Sequence, residues 1–143
     1  MMSSTIMNKA AVPLLIQRIA VTLFMGIWAL DKFVNPGHTA GVFTKFYGIS
    51  LPMEMTWVLG LVQLAVLIAF LVGFMKTYSY FLVFLMHAGS TLSAWKVYLA
   101  LYDGNLLFWA AIPVLAALWL QFSLRDFDSI SLDNKLRAGA LPS

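Results

Sequence analysis

The polar side chains of this chain that could take part in chemistry lie within long apolar stretches. They are Arg18, Gln63, His87, Ser90 and Thr91. An imidazole can move a proton, a guanidinium can hold negative charge, and amides and hydroxyls can orient a ligand by hydrogen bonds. Ionisable residues inside membrane spans usually face the protein interior and mark a functional site. These five residues are therefore the candidate polar cluster, and the helices that carry them decide whether they can meet.

Composition places the chain in a membrane. Of its 143 residues, 62% are hydrophobic and 10% are charged, whereas an ordinary soluble domain has about 25% charged residues. The formal charge of +3 is of the kind that orients a membrane protein and does not indicate nucleic acid as a partner. The absence of cysteine excludes disulfides and thiolate metal sites. The sequence has no phosphate-binding loop, nucleophile elbow or metal-spaced histidine cluster, so it predicts no metal, offers no catalytic motif and leaves enzyme activity open.

Four apolar runs are long enough to cross a bilayer as helices, which takes about 20 residues each. The predicted spans cover about residues 11–33, 54–75, 77–101 and 105–122, and a cytoplasmic tail covers 123–143. The first run is longer than the apolar core of a signal peptide, so we interpret it as a retained helix. Pro113 falls within the fourth span and is expected either to kink it or to be relieved by a neighbouring helix. The predicted fold is one all-α membrane domain over residues 1–143, an antiparallel bundle of four transmembrane helices with a short interfacial segment between the first two.

The distribution of positive charge predicts the orientation of the bundle. With four spans both termini lie on one side. That side carries Lys9, Lys76, Arg125, Lys135 and Arg137. The other side carries Lys32 and Lys45, with Lys96 leaning towards it. The positive-inside rule then places both termini in the cytoplasm, in a multi-pass protein of a bacterial-type inner (plasma) membrane.

The longest connection, residues 34–53, is too apolar for a free aqueous loop. It contains Phe43, Phe46, Tyr47 and Ile49. Two interpretations fit these residues equally well. One is a short interfacial helix that covers the outer side of the bundle, and the other is a simple hairpin that lies on the lipid headgroups.

The depth of each polar residue predicts which of them can meet. At a rise of about 1.5 Å per residue, Arg18 lies roughly 6 Å and His87 roughly 3 Å to the cytoplasmic side of the midplane. Gln63 lies roughly 3 Å to the opposite side. The three residues therefore share a slab about 9 Å deep, and we expect Arg18 and Gln63 to reach the same polar cluster.

The hydroxyl residues near His87 also admit a purely structural interpretation. Ser90 and Thr91 follow His87 at helical spacing, and small or hydroxyl residues are what close helix–helix contacts in membranes need. Packing alone accounts for them as well as a ligand site does. Repulsion from Arg18 and desolvation both favour a neutral His87 ring, which we expect to be a hydrogen-bonding node in the packing. In a quinone site the ring would instead be a donor that faces the ligand.

Several segments resemble the DoxX/DoxD-like family of small four-helix membrane proteins. The segment RIAVTLFMGIWALDKF is similar to the first helix of that family, ISLPMEMTWVLGLVQLAVLIAFLVGFMK to its loop and second helix, and ISLD to its C-terminal signature. The residues that match motif positions are Arg18, Gly26, Lys32, Gly73 and Asp133. A glutamate and a histidine common in the family are replaced here by Gln63 and by the pair Trp95–Lys96. The resemblance implies a four-helix bundle and a link to quinone-dependent oxidation or to membrane redox enzymes, in a chain with few proton-transfer groups.

Three functions are compatible with these observations. The first is an accessory or interaction subunit of a quinone-linked membrane redox assembly, which suits the small size, the lack of cofactor ligands and the resemblance. The second is a quinone-reactive oxidoreductase component, in which Arg18, His87 and Gln63 contact the quinone as cofactor. The third, a small-molecule transporter, is the weakest because four short spans show no repeat. The expected partners are the lipid bilayer and either a membrane protein or a second copy of the chain.

Overall fold

The computed structural model describes residues 2–102 and 105–140 of the chain. This part is all-helical, with 85% of the residues in helices and no strand, so the prediction of an all-α protein is confirmed. Its α-helices are α1 (Met2–Val34), α2 (Pro36–Tyr47), α3 (Met53–Val72), α4 (Lys76–Ser93), α5 (Trp95–Leu99), α6 (Ala111–Ser123) and α7 (Leu132–Gly139). Two 3-10 helices, Leu106–Ala110 and Arg125–Phe127, flank α6.

Three segments in the described part of the chain are long and apolar enough to cross a membrane. They are Lys9–Val34 within α1, Met53–Val72, which is α3, and Leu106–Ser123, which joins the first 3-10 helix to α6. Large apolar side chains on these segments point outwards; Ile27 is 70% exposed and Leu61 is 62% exposed. An apolar exterior of this extent suits a protein whose surroundings are lipid. The chain is therefore a membrane protein by the length and composition of its helices.

The segment predicted as the third span is shorter and more polar than expected. The prediction covers residues 77–101, but α4 ends at Ser93, and Ala94 separates it from α5. Near this break the hydroxyls of Ser90 and Ser93 donate to backbone carbonyls three residues earlier. Such bonds compete with the helix and often bend it. In the described part of the chain, α4 is not one of the three segments that are both long and apolar enough, because its 18 residues include Lys76, His87 and several hydroxyl side chains.

Pro113 lies in the first turn of α6, within the candidate span Leu106–Ser123. The 3-10 helix Leu106–Ala110 runs directly into α6, which begins at Ala111. Backbone N–H groups at this junction donate to the carbonyls of Phe108 and Trp109 in the 3-10 helix, whereas Pro113 has no N–H to donate. The helix changes from 3-10 to α geometry at Ala111, two residues before the proline.

The connection between α1 and α3 contains α2, so residues 34–53 adopt the helical alternative. Pro36 opens α2, and Gly48 closes it in the left-handed conformation with φ 69°. At the start of α2, His38 Nδ1 lies 2.6 Å from Asp31 Oδ2. This contact ties α2 to the last turns of α1.

The four long helices pack in a closed order. α1 packs against α3, α3 against α4, α4 against α6, and α6 against α1. Helices α1 and α3 are antiparallel, because residues late in α1 contact residues early in α3. Gln63 Nε2 donates to the carbonyl of Met25 over 3.2 Å, and Arg18 Nη1 donates to the carbonyl of Leu71 over 2.6 Å. The core between the helices comprises Val21, Met25, Ala29, Leu67, Phe70, Tyr80, Val83 and Leu118.

The segment after α6 folds back over the turn between α3 and α4. The N–H of Asp133 donates to the carbonyl of Gly73 over 3.2 Å, and Ser131 caps α7 by accepting from the N–H of Asn134. We call this part of the molecule, which comprises the turn 73–75 and residues 124–140, the Gly73 end. Hydrogen bonds anchor residues 128–134 of the predicted cytoplasmic tail 123–143 to the helices, whereas residues 135–140 are exposed and residues 141–143 lie outside the described residues.

Candidate functional site at the Gly73 end

The side chain of Arg18 is buried at the Gly73 end with a counter-ion that is also buried. Arg18 is 1% exposed and Asp128 is 0% exposed. Nη2 of Arg18 donates to Oδ1 of Asp128 over 3.3 Å, and Nε lies 3.1 Å from Oδ2 as an ion-pair contact outside hydrogen-bond geometry. The carbonyls of Leu71 and Ile130 accept from Nη1 and Nη2, respectively. A buried guanidinium needs both a paired anion and further acceptors, and Arg18 has both.

Asp128 also accepts hydrogen bonds from two neutral side chains. The hydroxyl of Tyr80 donates to Oδ2 over 2.7 Å, and Nε2 of Gln121 donates to the same oxygen over 3.2 Å. Tyr80 and Gln121 are both buried. Asp128 therefore joins α1, α4 and α6 to the segment that follows α6.

A second set of contacts joins the start of α4 to α7. Nζ of Lys76 donates to the backbone carbonyl of Asp128 over 3.0 Å and to Oδ1 of Asn134 over 3.1 Å. The carboxylate of Asp133 accepts the backbone N–H groups of Met75 and Lys76, at 2.8 and 2.9 Å. It thereby satisfies N–H groups that have no partner within α4, at the end where the helix dipole favours negative charge. Asp133 thus caps α4 from a distant part of the chain.

Gly73 allows these groups to approach one another. Its φ of 69° lies in the left-handed region that favours glycine. A Cβ at this position would lie 2.5 Å from Cβ of Ser131 and 2.8 Å from Nη1 of Arg18. Backbone conformation and close packing therefore both require glycine. We call the following residues the Arg18 cluster: Arg18, Gly73, Lys76, Tyr80, Gln121, Asp128 and Asp133.

The Arg18 cluster lies nearer to the end of the bundle than the sequence predicts. The carbonyl that accepts from Arg18 belongs to Leu71, in the last turn of α3. Leu71 is about 10 Å along the helix from the middle of the predicted span 54–75, whereas Arg18 is predicted roughly 6 Å from the midplane. Long side chains on a helix point towards its N-terminus. For α1 that direction leads to the Gly73 end, so the charged group lies further out than its Cα.

Gln63 and His87 do not join Arg18, contrary to the expectation of one shared cluster. Both are buried, but Gln63 donates to the carbonyl of Met25 over 3.2 Å. His87 Nε2 lies 3.0 Å from the carbonyl of Ala111. Depth along the membrane normal was the basis of the expectation, and depth does not determine the direction in which a side chain points.

The hydroxyls of Ser90 and Thr91 do not contact the His87 ring either. Both donate to the backbone carbonyl of His87, over 2.9 and 2.8 Å. The ring instead meets the edge of Phe24, with centroids 5.8 Å apart and planes at 77°. The stretch around His87 is thus bonded within its own helix and to α6, without contact to the Arg18 cluster.

Three of the five residues that resemble family motif positions meet in the Arg18 cluster. Arg18, Gly73 and Asp133 come together there, whereas Gly26 and Lys32 lie elsewhere on α1. A Cβ at Gly26 would meet nothing within 4 Å. The ammonium of Lys32 donates to the carbonyl of Trp28 over 3.0 Å, near the end opposite Gly73.

Sequence reasoning missed Asp128, although a signal for it was present. A buried arginine needs an anion, and three of the six acidic residues of the chain lie in the short stretch RDFDSISLD, after the last predicted span. Their spacing does not reveal which of the three pairs with Arg18. Tyr80 and Gln121 were missed because each looks like part of an apolar helix.

The arrangement can hold charge in the interior and fix the C-terminal segment in place. Each ionised group of the Arg18 cluster contacts other protein groups, and the described residues contain no set of three His, Cys, Asp or Glu that could hold a metal. Two buried oxygens in the described chain, Oε1 of Gln121 and Oγ1 of Thr22, have no hydrogen-bond partner. Gln121 lines a groove of about 170 Å³ between α1 and α6. No family model, curated protein or solved structure matches this chain.

Proposed function

We propose that the chain is a four-span membrane protein of the DoxX/DoxD-like kind that acts as an accessory or interaction subunit of a quinone-linked redox assembly. In this proposal α4 and α5 form the third span of an antiparallel bundle, and both termini face the cytoplasm at a bacterial-type inner membrane. α4 suits this role because it packs between α3 and α6, and both of those helices belong to segments apolar enough to cross a membrane. A helix held between two spans shares their surroundings.

The observation that supports an accessory role is the internal pairing of the Arg18 cluster. A group that transfers protons to a substrate must reach that substrate, whereas Asp128 is 0% exposed and already contacts Arg18, Tyr80 and Gln121. These contacts fix the segment around Asp128 against α1, α4 and α6. An ordered surface is what a subunit needs for a stable contact with a partner.

The convergence of Arg18, Gly73 and Asp133 supports the family resemblance. These residues lie far apart in the sequence and match separate motif positions. Chance matches have no physical reason to meet, whereas parts of one structural unit do. The redox and quinone parts of the proposal follow from this resemblance and from no other feature.

Co-purification from native membranes tests the proposal. The tagged chain is extracted in a mild detergent, and the proteins that accompany it are identified and quantified. We expect one stoichiometric oxidoreductase or electron-transfer subunit, which is lost with Asp128→Asn and kept with the control Gly26→Ala. Recovery of the chain alone, or only with copies of itself, would contradict the proposal.

One observation favours a quinone-reactive component as a second candidate. Because the carbonyl of Ala111 can only accept, His87 donates through Nε2, and no described residue hydrogen-bonds Nδ1. In a neutral ring Nδ1 is then an acceptor. Nδ1 could accept a hydrogen bond from the hydroxyl of a quinol but could not donate one to the carbonyl of a quinone. This role is the reverse of the donor role expected from the sequence. Bound quinol in the purified protein, lost with His87→Gln, would support this candidate.

A further inference from the structure

We infer that α7, together with Ile130, forms a docking surface for anionic phospholipid headgroups in the leaflet at the Gly73 end. The inference uses the placement of the chain in a membrane and is independent of the redox role. It concerns the lipids of the bilayer that surrounds the chain.

The contacts of α7 place it where two helices leave the membrane. Asp133, in its first turn, accepts the N–H groups of Met75 and Lys76 at the start of α4. The N–H of Asp133 donates to the carbonyl of Gly73, directly after the end of α3. α7 is therefore fixed beside the turn between two membrane helices, which is the level of the lipid headgroups.

The acidic residues of this region are mostly engaged inside the protein. Asp128 is 0% exposed and pairs with Arg18, and Asp133 is bonded to the start of α4. Asp126 is exposed and is the only other acid in residues 124–140. The surface at the Gly73 end thus carries little negative charge.

The basic residues of α7, in contrast, remain at the surface. Lys135 and Arg137 are both exposed, and neither side chain makes a hydrogen bond or ion pair with any residue in the described part of the chain. In the described part of the chain, no acidic residue therefore serves as a counter-ion for Lys135 or Arg137.

Apolar side chains lie beside the cations. Ile130 is 40% exposed, Leu132 is 37% exposed and Leu136 is 55% exposed. Leu132 and Leu136 are four residues apart and so share one face of α7. A short helix with an apolar face and flanking cations is the pattern of segments that lie in a membrane interface.

Charge complementarity selects anionic phospholipids as the occupant. Anionic leaflets attract basic segments near their surface, by about 1 kcal/mol for each Lys or Arg, which corresponds to roughly fivefold in affinity. The leucines can enter the acyl boundary while Lys135 and Arg137 contact phosphate. Two cations then make anionic lipid roughly 30-fold preferred over a zwitterionic lipid of equal chain length.

Lipid binding to the purified full chain in detergent tests the inference. Native mass spectrometry measures the affinity for phosphatidylglycerol and for phosphatidylcholine with the same acyl chains. We expect phosphatidylglycerol to bind more tightly, and Lys135→Gln with Arg137→Gln to weaken it by roughly 10- to 30-fold without changing phosphatidylcholine binding. The matched control, Lys45→Gln with Lys96→Gln, removes two exposed cations from the other end and should change phosphatidylglycerol binding less than about twofold.

Three results would overturn the inference. They are equal affinity for the two lipids, an equal loss in the α7 and control pairs, and displacement of the lipid by millimolar inorganic phosphate, which would indicate a soluble anion as the natural occupant. Thermal unfolding in phosphatidylcholine micelles checks that the variants fold. If the double variant does not fold, Lys135→Gln alone should weaken phosphatidylglycerol binding by roughly fivefold.

Discussion

Arg18 and Asp128 each become an unpaired buried charge when the other is removed, so we expect their substitutions to be strongly coupled. Asp128→Asn keeps the shape of the side chain and removes its charge. We expect it to lower the free energy of unfolding by about 3–5 kcal/mol, measured by reversible unfolding in mixed micelles. The exposed Lys96→Gln should change the same quantity by about 0.5 kcal/mol or less.

A double-mutant cycle separates this pair from simple loss of packing. Arg18→Met with Asp128→Val removes both charges; methionine is close in volume to arginine, and valine exceeds aspartate far less than leucine would. Because an apolar replacement of a buried ion pair is often neutral, the double variant should be more stable than either single variant. Additive losses of unfolding free energy would show that the two residues act independently. That result would contradict a stabilising role for the ion pair at 3.1 Å.

His87 has a hydrogen bond to the carbonyl of Ala111 and an aromatic neighbour in Phe24. Interhelical hydrogen bonds of this kind contribute on average about 0.6 kcal/mol in a membrane protein. We therefore expect His87→Gln, which can still donate, to be close to the natural protein in stability. His87→Leu, which cannot, should lose about 0.5–1 kcal/mol.

The same two variants separate a packing role of His87 from a ligand role. If His87→Gln stays folded and bound to its partner but loses a quinone-linked activity, then the ring acts on a ligand. If activity and assembly survive, the ring is a packing and hydrogen-bonding node. Unfolding curves and a quinol oxidation assay on the same preparations distinguish the outcomes.

At the scale of helices and turns, Gly73 and Gly48 form a matched pair. Both have φ 69°, but a Cβ at Gly48 would meet nothing within 4 Å, whereas one at Gly73 would lie 2.8 Å from Nη1 of Arg18. Gly48→Ala should therefore lower the free energy of unfolding only by the cost of holding alanine in the left-handed conformation, about 1–2 kcal/mol. Gly73→Ala adds the clash with Arg18 and Ser131, and we expect a total of about 2–5 kcal/mol.

The control for this pair is Gly26→Ala, in the middle of α1. A Cβ there meets no atom within 4 Å, and alanine is the better helix former. The variant should be as stable as the natural protein or slightly more stable in the same unfolding assay. Equal losses at Gly73 and Gly48 would contradict a requirement for close approach to Arg18.

The helices themselves were the most predictable part of the fold. Apolar runs are local signals, and the segment predicted over residues 54–75 is α3, at Met53–Val72. The end of α4 was not predictable from apolarity alone, because it depends on how the hydroxyls of Ser90 and Ser93 bond to the backbone. The start of α6 at Ala111 was likewise not predictable from the sequence, because the 3-10 helix before it is as apolar as the α-helix that it joins.

At the scale of the whole molecule, the expected meeting of Arg18, Gln63 and His87 in one cluster is wrong, because contacts between distant segments decide where each side chain bonds. Arg18 was recognised as an interior residue because lipid excludes charge, and it is 1% exposed. Its partner Asp128 lies 110 residues away, and no local pattern specifies that pairing. Gln63 and His87 were grouped with Arg18 by depth, while the rotation of each helix directs them to Met25 and Ala111.

The number of spans determines the topology of the whole chain, and labelling can measure it. The chain has no cysteine, so each introduced cysteine is the only thiol. If α4 crosses the membrane, then Thr5→Cys and Lys135→Cys lie on the same, cytoplasmic side and react with an impermeant maleimide only after permeabilisation. Lys45→Cys and Tyr102→Cys then lie outside and react in intact cells.

If only the three segments Lys9–Val34, Met53–Val72 and Leu106–Ser123 crossed, Tyr102→Cys would be inside and Lys135→Cys outside. The pairing of Arg18 with Asp128 opposes that arrangement, because it holds the segment after α6 beside the same end of the bundle as the turn between α3 and α4. Its 18 residues give α4 a length of about 27 Å, close to the roughly 30 Å of a hydrocarbon core. We therefore expect Tyr102→Cys and Lys135→Cys to label on opposite sides, with Tyr102→Cys accessible from outside. Labelling of Lys135→Cys in intact cells would exclude the four-span arrangement in this orientation.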